Sequence, residues 1–164
     1  MEATVAKTIE TPDRPRLGGN PAQKDNAKRT LAWPQIASLL RISYVEWISF
    51  QTGPHASDSA GDHIARKLSH WGGTFRNFHD TATALLQVDL LISVCTASAH
   101  LAGALHLPVW TLLSHTPCWR WGNQGDSTPW YPSMRLFRQS EPGNWESVIE
   151  SVHDAVIRLR DGRK

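Results

Sequence analysis

Cysteine is scarce in this 164-residue chain, which has only Cys95 and Cys118. Two thiols with neither a CxxC nor a Cys/His zinc spacing build no disulfide framework and no structural zinc site, so a reducing compartment, the cytoplasm, is expected. Long apolar runs are missing too. No stretch approaches the ~18 residues of a membrane span, and the first 16 residues are acidic and proline-broken without an apolar signal core. No transmembrane segment is therefore expected. Charge of one sign is also lacking: a net +2 suits an anionic small ligand but not the clustered basic surface that binds nucleic acid. No G-x-G-x-x-G follows the first apolar run, which speaks against a small NAD- or nucleotide-binding protein of that type. No Asp-x-Asp or carboxylate cluster occurs, so no metal is implied. The scattered His55, His63, His70 and His79 read as surface residues rather than ligands.

What the chain does have is concentrated between residues 90 and 113. Leu90-Leu91-Ile92-Ser93-Val94 is a continuous apolar run of strand length. It stops at Cys95-Thr96-Ala97-Ser98, an alanine-rich helical stretch follows to Leu105, and Pro108-Val109-Trp110-Thr111-Leu112-Leu113 opens a second apolar run. Strands buried on both faces belong to parallel sheets, whose ligands bind beyond the strands' carboxyl ends. The Cys95–Ser98 turn falls at that place. Thr96 or Ser98 can cap the helix while first-turn N–H groups face outward, the arrangement that binds phosphate oxygens. His100, one turn in, either donates to a phosphate or sugar oxygen or packs under the loop; the local pattern leaves both open.

The remaining chain alternates strand and helix. Residues 1–16 read as a disordered leader, and 17–164 as one domain. A Gly18-Gly19-Asn20-Pro21 turn and a polar loop to Thr30 precede a short helix over 33–41 with Pro34 in its first turn. A strand is expected over 44–50, a helix over 58–70, a strand over 74–77 and a helix over 80–88. Beyond Leu113, residues 114–132 form a long polar and aromatic connection, a length usually reserved for functional or disordered loops. A last strand over 134–138 and a closing amphipathic helix over 145–159 complete the pattern.

Eight tryptophans is several times ordinary usage, and Trp110, Trp119, Trp121 and Trp130 crowd into this region. Such rings beside a phosphate site can stack on a base or sugar, or can simply pin the loop to the domain. Arg120, between two of them, is read either as a phosphate clamp or as a structural ion-pair partner.

Several motifs in order resemble one family. They are Asp80-Thr81-Ala82, Asp89 to Val94, Thr96-Ala97, Ala99 to Leu105, Pro108-Val109-Trp110, Trp119-Arg120-Trp121, Pro129 to Ser133 and Arg135 to Gln139, preceded by Gly19-Asn20-Pro21 and Lys28-Arg29-Thr30. Together they are similar to the C-terminal domain of bacterial heptosyltransferase-like glycosyltransferases, in the branch often fused to tetratricopeptide repeats. The likeness runs roughly from Leu17 to Leu159. It implies an α/β fold: a Rossmann-like parallel sheet with helices on both faces, corresponding to the C-terminal half of a GT-B enzyme, whose two such domains face each other across a cleft. That half holds the donor, a nucleotide diphosphate sugar, as substrate; no cofactor is implied.

By the same resemblance Thr96, Ala97 and His100 meet the diphosphate, and Arg29 or Lys28 offsets its charge. Asp58 is the nearest candidate for the ribose hydroxyls. The chain departs from the family in having Cys95 where an aspartate usually stands, either as a small buried filler or as a thiol activated by the helix terminus. The N-terminal acceptor domain, where the family keeps its catalytic base, is absent from the sequence read, so no general base is nominated. The expected function is a donor domain for glycosyl transfer to a carbohydrate or protein acceptor, truncated or split, with a separate acceptor-domain chain as partner. The alternative is a non-catalytic, degenerate glycosyltransferase-like binding or interaction module.

Overall fold

A computed structural model describes residues 6–9, 16–17, 31–51 and 68–162. Six strands, β1 (Ala6–Ile9), β4 (Glu46–Ser49), β5 (Leu68–His70), β6 (Leu90–Val94), β7 (Val109–Leu113) and β8 (Met134–Arg138), form one sheet in the order β5-β4-β1-β6-β7-β8. Every neighbouring pair in it is parallel. Two short strands, β2 (Arg16–Leu17) and β3 (Leu31–Ala32), pair antiparallel beside it. Taken in chain order the large sheet runs third, second, first, fourth, fifth, sixth, the doubly wound order in which the chain reverses direction between its first and fourth strands. Here that reversal lies between β1 and β6.

Side-chain alternation explains why both faces must be covered. Leu90, Ile92 and Val94 of β6, with Leu112 and Phe137, face one apolar cluster; Leu91, Val109, Leu113, Met134 and Leu136 face the other. Helices α1 (Trp33–Ala37) and α4 (Trp145–Asp161) close the first side through Ile36, Trp145, Val148, Ile149, Val152 and Val156. Helices α2 (Phe78–Leu85) and α3 (Ala97–Ala104) close the second through Ala84, Leu85, Ala99 and Ala102. The small side chains of α3 bring its backbone close to β6 and β7, which fixes the turn that precedes it. Among the described residues no helix is long and apolar enough to cross a membrane.

Helix boundaries follow from local capping. The Asn77 side chain accepts from the amides of His79 and Asp80 at 2.8 and 3.1 Å, so α2 starts two residues before the expected Asp80. Asn144 does the same for α4 by accepting from the Ser147 amide at 3.2 Å.

Three expectations are corrected. Residues 6–9, assigned to a disordered leader, are a strand inside the sheet, and Arg16 pairs in β2. A four-residue strand followed by two prolines has almost no local signature; its partners on both sides create it. The helix expected over 58–70 does not reach residue 70, because Leu68–His70 is the edge strand β5. The strand expected over 74–77 is replaced by a 3-10 turn, Gly72–Thr74, and by the α2 cap at Asn77. The turn forms where it does because the amide of Trp71 bonds the Ser49 carbonyl at 2.8 Å, and because Trp71 and Phe75 both pack on Phe50.

Candidate functional site

The Cys95–Ser98 turn follows the carboxyl end of β6, at the reversal point of the sheet, where ligands of doubly wound folds bind. Val94 is fully buried and Thr96 takes the N-cap position of α3 with extended backbone, so the chain turns sharply from strand to helix. The Thr96 hydroxyl does not cap the helix. It bonds instead to the Ser93 hydroxyl at 2.9 Å, beneath the turn. The N-terminal amides of α3 therefore receive no bond from the cap side chain, and the alanine at position 97 is exposed. Ser98, by contrast, is buried. Such an end favours negative charge through its dipole and its outward N–H groups.

The 114–132 connection folds back onto this turn. Trp121 is buried and donates its indole N–H to the Cys95 sulfur at 3.1 Å. The His100 ring stacks on Trp121 with centroids 5.0 Å apart, and its Nδ1 lies 3.0 Å from the Tyr131 hydroxyl. Of the sequence alternatives for His100, packing under the loop is thus realised, and the packing itself orients the ring. Cys95 is half-buried, with its sulfur engaged by Trp121.

Trp119 and Trp130 behave differently from Trp121. They are 73% and 56% exposed and meet edge to face at 6.3 Å. The Arg120 guanidinium lies 5.0 Å over the Trp119 ring and donates to the Cys118 sulfur at 2.9 Å. It has no carboxylate partner among the described residues. The loop is held by a group the sequence reading gave no role. Arg138, the last residue of β8, donates to the carbonyls of Trp121, Gly122, Gln124 and Gly125. Its signal in sequence was slight: the second of two arginines in a five-residue strand.

Burial, and secondarily the positive charge of Arg120, hold the His100 pKa below its ordinary 6.5. The folded ring is thus the weaker base, and protonating it costs stability. That contribution is present above pH 6.5 and is lost as pH falls through the folded value. In an NMR titration His100 is expected to show a midpoint below 6.5, and Arg120→Gln to raise it. A midpoint unmoved by the substitution would separate Arg120 from this site.

Among the described residues, no group of three or more His, Cys, Asp or Glu is placed to hold a metal ion. The structure brings together Cys95, Thr96, Ala97, His100 and Trp121, with Arg120 near enough to act on His100. Lys28, Arg29 and Asp58, together with the 18–21 turn, lie outside the described residues.

Comparison with known proteins gives the fold a setting. No protein-family model matches the chain. Over 77 residues, 47% of this chain, it is 35% identical to Protein FlbA of Caulobacter vibrioides, and the match spans 13% of that protein. Among solved structures, the E. coli heptosyltransferase WaaC with ADP matches at TM-score 0.59 and 16% identity, covering 97% of this chain and 45% of that one. The glycosyl transferase family 9 structure from Veillonella parvula matches at TM-score 0.57 and 14% identity, covering 98% of this chain and 47% of that one. The chain spans just under half the length of either solved neighbour. Its α/β fold is shared with a little under half of each of these glycosyltransferase chains.

Proposed function

We propose that this chain is the donor-binding, C-terminal half of a heptosyltransferase-like glycosyltransferase and takes a nucleotide diphosphate sugar at the Cys95–Ser98 turn. The observation that carries the reading is the position of that turn, at the reversal point of a doubly wound sheet, with helix amides that the Thr96 side chain leaves uncapped. The diphosphate sits over the N-terminus of α3, with His100 as a neutral donor and the Arg120 charge nearby. Arg29 or Lys28 adds positive charge and Asp58 meets the ribose. Trp119 and Trp130 offer exposed faces to a base or sugar ring. No metal enters this reading, because the helix terminus and the arginines supply the positive charge. The sugar leaves for a carbohydrate or protein acceptor bound by a second domain, on this polypeptide or a separate chain, in the cytoplasm. The tetratricopeptide association belongs to the same proposal.

The engagement of Cys95 by Trp121 favours a second reading, a binding module without turnover. An aspartate in place of Cys95 would bring a charge to the turn, whereas this sulfur is already occupied by an indole N–H. The two readings share the diphosphate seat and differ in whether radiolabelled sugar is transferred once an acceptor half is supplied.

Ala97→Glu tests the seat. A carboxylate in the first turn of a helix is neutral to favourable for folding, by about 0.3–1 kcal/mol, but repels a bound anion. Calorimetric titration with ADP, GDP and UDP is expected to show binding of at least one by the natural chain and at least a ~10-fold loss in the variant, for a change of about 1.4 kcal/mol. Equal affinity in both would remove the diphosphate from this turn.

A further inference from the structure

His100 is held between two residues of the loop, and the way it is held decides which of its ring nitrogens carries the proton. The ring lies flat on Trp121 and edge-on to Tyr131, whose centroid is 5.7 Å away. Tyr131 comes this close only because α3 has glycine at position 103, where an added Cβ would stand 2.5 Å from the tyrosine Cγ. Trp121 is fixed in turn by its bond to the Cys95 sulfur and by Arg138 on its carbonyl.

The titratable groups facing the ring are Tyr131 and Arg120 from the loop and, through Trp121, Cys95 from the turn. None is a carboxylate, and no carboxylate lies within ion-pairing distance of His100 among the described residues, so nothing there favours the imidazolium. A neutral imidazole has one N–H, on either nitrogen. A phenol is a stronger acid than a neutral imidazole N–H, and an imidazole nitrogen is a better acceptor than a phenol oxygen. The 3.0 Å contact is therefore a donation from the Tyr131 hydroxyl to Nδ1. That puts the ring proton on Nε2, for which the described residues supply no bond.

We infer that Tyr131 is a positioning residue: it fixes His100 as the Nε2–H tautomer, so that the ring presents one neutral donor to an oxygen of the anionic ligand at the Cys95–Ser98 turn. This rests on the diphosphate reading of that turn. The preference built in is for groups that accept, such as phosphate oxygens, over N–H donors, which find no lone pair on Nε2. Acid pH acts on the same contact. Once protonated, the ring has a proton on Nδ1 as well, and Tyr131 must rotate its hydroxyl to accept.

Imidazole 15N NMR on the full chain, natural and Tyr131→Phe, tests this without any ligand, with the His100 signals assigned by their loss in His100→Gln. The natural chain at pH 7.5 is expected to show Nε2 protonated and Nδ1 bare. Tyr131→Phe is expected to show a mixture of tautomers while the other histidines keep their signals. ADP titrated into both is expected to bind the variant more weakly by the inverse of its Nε2–H fraction, about 2-fold for an even mixture, since only that tautomer donates to the ligand. A natural chain carrying the proton on Nδ1, or a variant with an unchanged tautomer, overturns the inference. Equal ADP affinity in the two chains overturns the positioning role. A fixed Nε2–H tautomer in a folded chain that binds no ADP, GDP or UDP instead overturns the diphosphate reading and leaves the tautomer assignment standing.

Discussion

Arg138→Met is expected to lower stability by about 3 kcal/mol and Tm by roughly 6–12 °C, more than an average surface substitution does. One guanidinium serves four loop carbonyls, those of Trp121, Gly122, Gln124 and Gly125, from the end of a strand paired to Leu113. Methionine keeps much of the aliphatic stem and removes every donor, so these carbonyls must find water or stay unmet. Burial depresses the Arg138 pKa, yet a guanidinium remains charged throughout the neutral range, so its bonds are charge-assisted. The effect extends to the site. With Trp121 no longer pinned, its cover over His100 loosens, and the His100 midpoint is expected to rise toward 6.5. Thermal unfolding with a parallel histidine titration checks both parts. A Tm within 2 °C of the natural chain would mean that the loop is held by its aromatic packing alone.

Gly72→Ala is expected to cost more than about 3 kcal/mol, enough that the variant accumulates poorly, because the clash is with backbone and not with a movable side chain. An added Cβ would stand 1.9 Å from the Gln51 carbonyl oxygen and 2.4 Å from the Phe50 carbonyl carbon, where the chain leaving β4 passes under the turn after β5. Neither atom can retreat without dragging β4 out of register with β1 and β5. The neighbouring glycine is the control. A Cβ at Gly73 meets nothing within 4 Å, so Gly73→Ala is expected to be neutral or to stabilise by about 0.4–1 kcal/mol through the unfolded chain. Chemical denaturation of the two variants side by side checks this, and similar midpoints would contradict the close approach at Gly72.

The contrast between these glycines marks where sequence stops being informative. Strands β6, β7 and β8 and helices α3 and α4 were legible because each carries its own signal: a run of buried residues, a small-residue stripe, or an apolar periodicity such as Trp145, Val148, Ile149, Val152 and Val156. The short strands at 6–9 and 68–70 carry none, since two neighbours or one edge contact decide them. Missing β1 hid the strand order and with it the reversal point that gives the Cys95–Ser98 turn its meaning. Within the site, the turn and His100 were legible as a pattern. The contacts that orient His100, from Tyr131 across 31 residues and from Trp121 in the same loop, are tertiary and leave no local trace. Likewise nothing in Trp119-Arg120-Trp121 tells which indole is exposed and which is buried; the 3-10 turn that they form decides it.

Amide and indole NMR of the natural chain, titrated with ADP, GDP and UDP, tests the central claim most directly. At least one nucleotide is expected to shift the Thr96 to His100 amides most strongly and the indole N–H signals of Trp119 and Trp130 with them, on one saturation curve for all. A folded chain in which none of the three moves these signals, or in which the shifts gather on the exposed Phe78 and Leu86 face of the domain, would contradict it.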